Sequence, residues 1–202
     1  MRIRYAIIAL ALLGCAGAPK EIEAQAPASA QDSASKEIPA GFGTLKQDEF
    51  TMGLRSEALL VKVTPLEESV IRLAAPDTYN RLHSLRASRS SDVQASGFST
   101  PQMFLVSFFS YQPDVTFQPE DLQIEHQGRV MRASAILPLT PTWGTGRLSQ
   151  QQIATAVYVF SEPINYELPM VVRYGMFENG EWQRIIPKLQ VERGKVTGRD
   201  KN

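Results

Sequence analysis

Two runs in this chain are apolar on both sides of a strand, and they set the terms for everything else. In residues 102–111, Phe104, Val106 and Phe108 alternate with Met103, Leu105, Phe109 and Tyr111. In residues 154–160, Val157 and Val159 alternate with Ala156, Tyr158 and Phe160. A strand with no polar face must be covered twice, so each belongs in the middle of a layered β domain. The sequence holds one cysteine, Cys15, so no disulfide within the chain can brace that domain. Burial has to carry the stability. With 43% hydrophobic residues and ordinary amounts of Gly and Pro, the chain has the material for it.

The remaining strands are read from alternation and turn signals. Leu59, Val61 and Val63 alternate with Leu60, Lys62 and Thr64, the pattern of a strand with one buried face. Leu122, Ile124 and His126 alternate with Gln123 and Glu125, and Gln127-Gly128 turns the chain back through Met131, Ala133, Ala135 and Leu137. Met170, Val172 and Tyr174 begin a strand that Asn179-Gly180 returns into residues 182–191. Pro187 lacks a ladder donor, so that last strand is expected at an edge or on a bulge.

Between the first strand and the long apolar run the period changes. Thr64-Pro65-Leu66-Glu67 offers a hydroxyl cap, a proline at the first helical position and a Glu three residues on, which predicts a helix start. Leu66, Val70, Leu73 and Ala74 form its apolar stripe, Pro76 breaks it, and Asp77 caps a second helix with Tyr79, Leu82 and Leu85 on the buried side. This helical insertion, about residues 65–87, is the expected cover for the second face of the 102–111 strand. Residues 88–100, rich in Ser, Arg, Asp, Gln and Gly, are expected to be a mobile loop. The expectation is a mainly β domain over residues 51–192: an antiparallel two-sheet sandwich of about seven strands with a helical insertion after the first. A flexible tail, residues 193–202, follows.

The start of the chain addresses location. Arg2 and Arg4 precede an apolar run from Ala6 to Leu13, then Gly14 and Cys15, the pattern of a secretory signal. Eight apolar residues at about 1.5 Å each fall well short of a hydrocarbon core of about 30 Å, so a cleaved signal fits better than a permanent span. Leu12-Leu13-Gly14-Cys15 resembles a bacterial lipobox. The resemblance implies that residues 1–14 are a signal peptide, that Cys15 is lipidated, and that the cleaved chain is a lipoprotein of the cell envelope. Ala16, where an Asp would signal retention in some two-membrane bacteria, points to the outer membrane, facing the periplasm or the cell surface. Residues 15–50 are then the lipidated cysteine and a tether of Ala, Gln, Ser, Pro and Glu, with too little to bury to offset the entropy of ordering. The domain architecture is similar to the immunoglobulin-like domains of many envelope lipoproteins, although the Cys and Trp hallmarks are missing.

Chemistry is sparse. No HExxH, CxxC or GxSxG motif and no phosphate-cradling glycine loop occurs. His83 and His126 are the only histidines, each isolated in sequence; neither predicts a metal, and no cofactor is implied. Glu67-Glu68 and Glu120-Asp121 are neighbours in sequence, so their side chains are expected to diverge. Without Arg2 and Arg4 the chain has 19 basic against 21 acidic side chains, which argues against binding nucleic acid through phosphate neutralisation. Two features stand out as candidate binding residues. Arg72, Arg81, Arg86 and Arg89 face the single acid Asp77 within residues 69–89, a local basic excess suited to anionic headgroups, a sugar polymer or an acidic partner. The alternative is a solvated face whose long stems cover apolar surface. Trp143 and Arg147 sit in a Pro, Thr and Gly loop and are hot-spot residue types, but the large apolar area of an indole favours Trp143 as a plug of the core. The expected function is a non-enzymatic, membrane-anchored module that binds an envelope protein or supports envelope assembly. Glycan or small-molecule binding at the Trp143 loop is the alternative, ahead of an unrecognised hydrolase.

Overall fold

The computed structural model describes residues 38–95, 97 and 100–199. The lipobox, Cys15 and most of the expected tether lie outside the described residues. Among the described residues the fold is mainly β, with three antiparallel sheets and three α-helices. A five-stranded sheet has the order β1 (Met52–Arg55), β2 (Leu59–Pro65), β3 (Gln102–Ser110), β9 (Ile153–Phe160), β7 (Ala135–Pro138). A four-stranded sheet has the order β11 (Phe177–Asn179), β10 (Met170–Tyr174), β5 (Leu122–His126), β6 (Arg129–Arg132). A small ribbon pairs β4 (Val115–Thr116) with β8 (Arg147–Leu148). The helices are α1 (Glu68–Ile71), α2 (Pro76–Ala95) and α3 (Trp182–Arg199).

The two apolar runs become neighbours at the centre of the larger sheet, as their patterning requires. Phe104 lies opposite Tyr158, Val106 opposite Ala156, and Phe108 opposite Ala154. Small alanines across from Phe108 leave room above the sheet, which rings fill: Phe117 stacks on Phe108 at 4.9 Å and Trp143 meets it edge-on at 5.6 Å. Phe108 also meets Tyr174 of the second sheet at 5.3 Å, so the inner faces of the two larger sheets share one core.

The sheets are joined at both margins. On one side only Ala133 and Ser134 separate β6 from β7, so the chain passes from one sheet into the other without a loop. On the other, Asn179 Nδ2 donates to the Gly53 carbonyl at 2.7 Å, giving an edge acceptor of β1 a partner from β11. These two connections link an edge strand of one sheet to an edge strand of the other at each margin.

Several expectations are corrected. The helix forecast at Thr64 does not start there: Thr64 and Pro65 remain in β2, opposite Leu105 and Phe104, and the Thr64 hydroxyl bonds Thr51 and Gln47. Strand pairing outcompetes the cap, although Leu66, Val70, Leu73 and Ala74 are all buried as the stripe predicts. The loop expected over 88–100 is helical to Ala95, where Val93 is buried, and Ser88 and Ser90 bond backward to the carbonyls of Leu85 and Ala87. The helical insertion therefore reaches beyond 87.

The largest correction is at the C-terminal end. Residues 182–191 are the start of a helix, not an edge strand. Trp182, Ile185, Leu189, Glu192 and Val196 are buried at intervals of three and four, a helical stripe that overrides the hairpin signal. Pro187 removes one helical hydrogen bond, to Gln183, but both residues are exposed and solvent takes that carbonyl. The hairpin turn falls earlier, at Gly175 (φ 56°), between Tyr174 and Phe177. Asn179 instead accepts the Glu181 N–H at 2.7 Å, shaping the approach to α3. The helix continues to Arg199 across much of the expected tail. Packing also starts before residue 50: Ile38, Leu45 and Phe50 are buried, and Leu45 bonds the backbone on either side of Ala74. The described residues form eleven strands, three of only two or three residues, where about seven were expected.

Candidate interaction surface

The four arginines of the helical segment do not present an open basic face. Glu68 accepts from Arg72 Nε at 2.9 Å and from His83 Nδ1 at 2.7 Å. Arg86 lies 3.5 Å from a carboxylate oxygen of both Glu67 and Glu68, so these adjacent acids converge on one guanidinium, against the expected divergence. Arg81 donates to Gln47 Oε1, Arg89 reaches Asp92 at 3.5 Å, and Arg72 also donates to the Ile38 carbonyl at 2.9 Å. Burial of Glu68 pushes its pKa up, but Arg72, His83 and Arg86 outweigh that and hold the carboxyl below its ordinary value. Glu67 and Glu68, just upstream of the counted window, offset two of its charges. The segment is a set of internal ties between α1 and α2.

Trp143 is 8% exposed, with its indole against Phe108, Phe117 and Tyr158 at 5.4–5.9 Å. A short 3-10 turn over Pro141–Thr145 and Gly146 in the left-handed region (φ 62°) fold the chain over it. Arg147 is exposed and pairs with Asp114 at 2.6 Å. The loop's two hot-spot residues are therefore separated: one fills the core, the other braces the β4–β8 ribbon.

His126 is buried and fully used. Its Nδ1 donates to the Pro169 carbonyl and its Nε2 accepts the Asn165 N–H, each at 3.1 Å, which fixes one neutral tautomer and pins residues 165–169 to β5. Among the described residues, no three His, Cys, Asp or Glu side chains gather in a way that could hold a metal.

What remains open is the outer face of the five-stranded sheet at one end. Register aligns Arg55, Leu60, Phe109 and Ile153 in a row across β1, β2, β3 and β9, on the side away from Val61 and Phe108. The expected helical cover does not close this end. Leu60 and Phe109 are half-buried and Ile153 is 47% exposed, whereas Met103, Val157 and Val159 toward the other end are buried. Tyr111 extends the row: its ring meets Phe109 at 5.1 Å, and the Arg55 guanidinium lies 4.9 Å over it. The β10–β11 hairpin adds Met176, 97% exposed, and Phe177, 47% exposed. Arg55, Ser56, Glu57, Ala58, Tyr111 and Phe177 enclose a shallow hollow of about 990 Å³. The surface joins a cation over an aromatic ring, exposed aliphatic side chains and a Met, residue types enriched at protein contacts.

This end lies away from Ile38, the first described residue. β2 runs from Leu59 at the open end to Pro65 beside α1, seven residues or roughly 20 Å. Arg72, just past α1, holds Ile38, the first described residue.

No family model, no curated protein and no solved structure matches this chain. No helix among the described residues is long and apolar enough to cross a membrane.

Proposed function

We propose that this chain is an envelope lipoprotein, anchored through Cys15 and most consistent with the outer membrane, whose immunoglobulin-like two-sheet domain is a non-enzymatic module that docks another envelope protein. The observation that carries the docking is the row Arg55, Leu60, Phe109 and Ile153 with Tyr111, Met176 and Phe177, left uncovered at the end remote from Ile38. An anchor at the near end and an apolar, aromatic contact surface at the far end fit a module that stands on a membrane and reaches a partner above it. Trp143, placed in the core, makes glycan binding at its loop the weaker reading.

Photo-crosslinking residues placed at Met176 or Phe177 in living cells should give one discrete adduct. Placed at Val130, on the opposite sheet edge and also exposed, they should give none. Equal or absent adducts at all three positions would contradict the docking. For the anchor, Cys15→Ser should abolish metabolic lipid labelling.

A further inference from the structure

The basic face expected on α2 is present on α3. Over its eighteen residues this helix carries Arg184, Lys188, Arg193, Lys195 and Arg199 against one acid, Glu192, which is buried. At 100° per residue, Arg184, Lys188, Lys195 and Arg199 fall within roughly 60° of the helix circumference, along about 22 Å of its length. All four are exposed. Beside this flank Val191 is 59% exposed. Arg193 points to the other flank and pairs with Glu167 at 2.6 Å.

The position of the stripe matters as much as its charge. Lys195 and Arg199 lean on the buried Glu192, at 3.3 and 4.0 Å, and Arg199 also donates to the Phe42 carbonyl at 2.8 Å. Phe42 is itself 46% exposed. Four residues after Ile38, the first described residue, the chain therefore meets the C-terminal end of α3. With twenty-two residues between Cys15 and Ile38, a tether as soft as the sequence leads one to expect would reach about 23–28 Å, similar to the length of the stripe. A lipid at Cys15 would hold this flank beside the bilayer at high effective concentration.

We propose that the Arg184–Lys188–Lys195–Arg199 flank, with Phe42 and Val191 beside it, docks on the anionic phospholipid headgroups of the membrane that carries the anchor. That flank of the domain is then set against the membrane. This rests on the lipid-anchor reading. Charge complementarity supplies the attraction, and the two exposed apolar side chains supply contact with the interface.

The test uses the full chain with Val191→Cys, produced in a host that lipidates it, labelled with an environment-sensitive fluorophore and reconstituted into vesicles. Phosphatidylcholine vesicles containing phosphatidylglycerol should give quenching by a headgroup-borne quencher, suppressed by high salt. Phosphatidylcholine alone should not. Arg184→Glu with Lys188→Glu should shift the docked-to-free ratio by about tenfold or more toward free. Circular dichroism checks that this variant keeps its fold. Equal quenching in both vesicle types, or quenching that survives charge reversal in a folded variant, overturns the docking. Label count separates the two readings: one dye per chain with no anionic-lipid signal overturns the docking alone, whereas two dyes show a free Cys15 thiol and overturn the anchor with it.

Discussion

Thr44 gives both its backbone N–H, at 2.9 Å, and its hydroxyl, at 2.7 Å, to one oxygen of Glu192, 148 residues away. Lys195 takes the other oxygen at 3.3 Å. The carboxylate is buried, so these partners are what make its charge tolerable there. The bond ties the first described segment of the chain to α3. Glu192→Ala strands three donors and should cost about 2–4 kcal/mol in chemical denaturation. Glu192→Gln keeps an acceptor for Thr44 and should cost less. A loss below about 0.5 kcal/mol in the Ala variant would show that the clasp contributes nothing.

Acid should loosen the fold through two carboxylates. Burial raises the pKa of Glu192, but bonds from Thr44 and Lys195 more than reverse this, and Glu68 is likewise held low by Arg72, His83 and Arg86. A carboxyl with a lowered folded pKa stabilises fully above its ordinary value of 4.5, and that contribution is lost as pH falls below 4.5 through the folded values. Melting temperature measured from pH 7 downward should therefore be level until about pH 5 and then fall. Glu68→Gln and Glu192→Gln should each start lower and fall less steeply. Parallel curves would refute the assignment.

Trp143 and Met176 should behave oppositely. Trp143→Ala removes the indole that Phe108, Phe117 and Tyr158 pack against and should cost about 3–5 kcal/mol. Met176→Ser, at a 97% exposed tip, should stay within about 0.5 kcal/mol of the parent. Urea unfolding of the two variants checks both. A mild effect at Trp143 would return that loop to the candidate binding residues.

The centre of the fold was legible because Phe104, Val106, Phe108 and Ala154, Ala156, Tyr158 alternate without interruption, and period two has few competing meanings. His126 was placed correctly for the same reason. The terminal helix was misread although Trp182, Ile185, Leu189 and Val196 already had helical spacing, because Asn179-Gly180 and Pro187 pointed to a hairpin and an edge. The pairing of Arg72 and Arg86 with Glu67 and Glu68 was not legible, because it forms only where α2 folds back on α1. The open end could not be read at all. Leu105 and Phe109 look alike in sequence, and which part of a sheet face stays uncovered is decided by where distant elements stop.

The most direct test of the account is affinity isolation of the full chain in mild detergent, comparing three forms. Wild type should recover one partner near equal stoichiometry. Arg55→Glu with Met176→Glu, both exposed positions at the open end, should lose it, and Arg129→Glu, on the far edge strand, should retain it. Recovery of the same partner by all three forms, or no stoichiometric partner with wild type, would contradict the claim that this end is the docking surface.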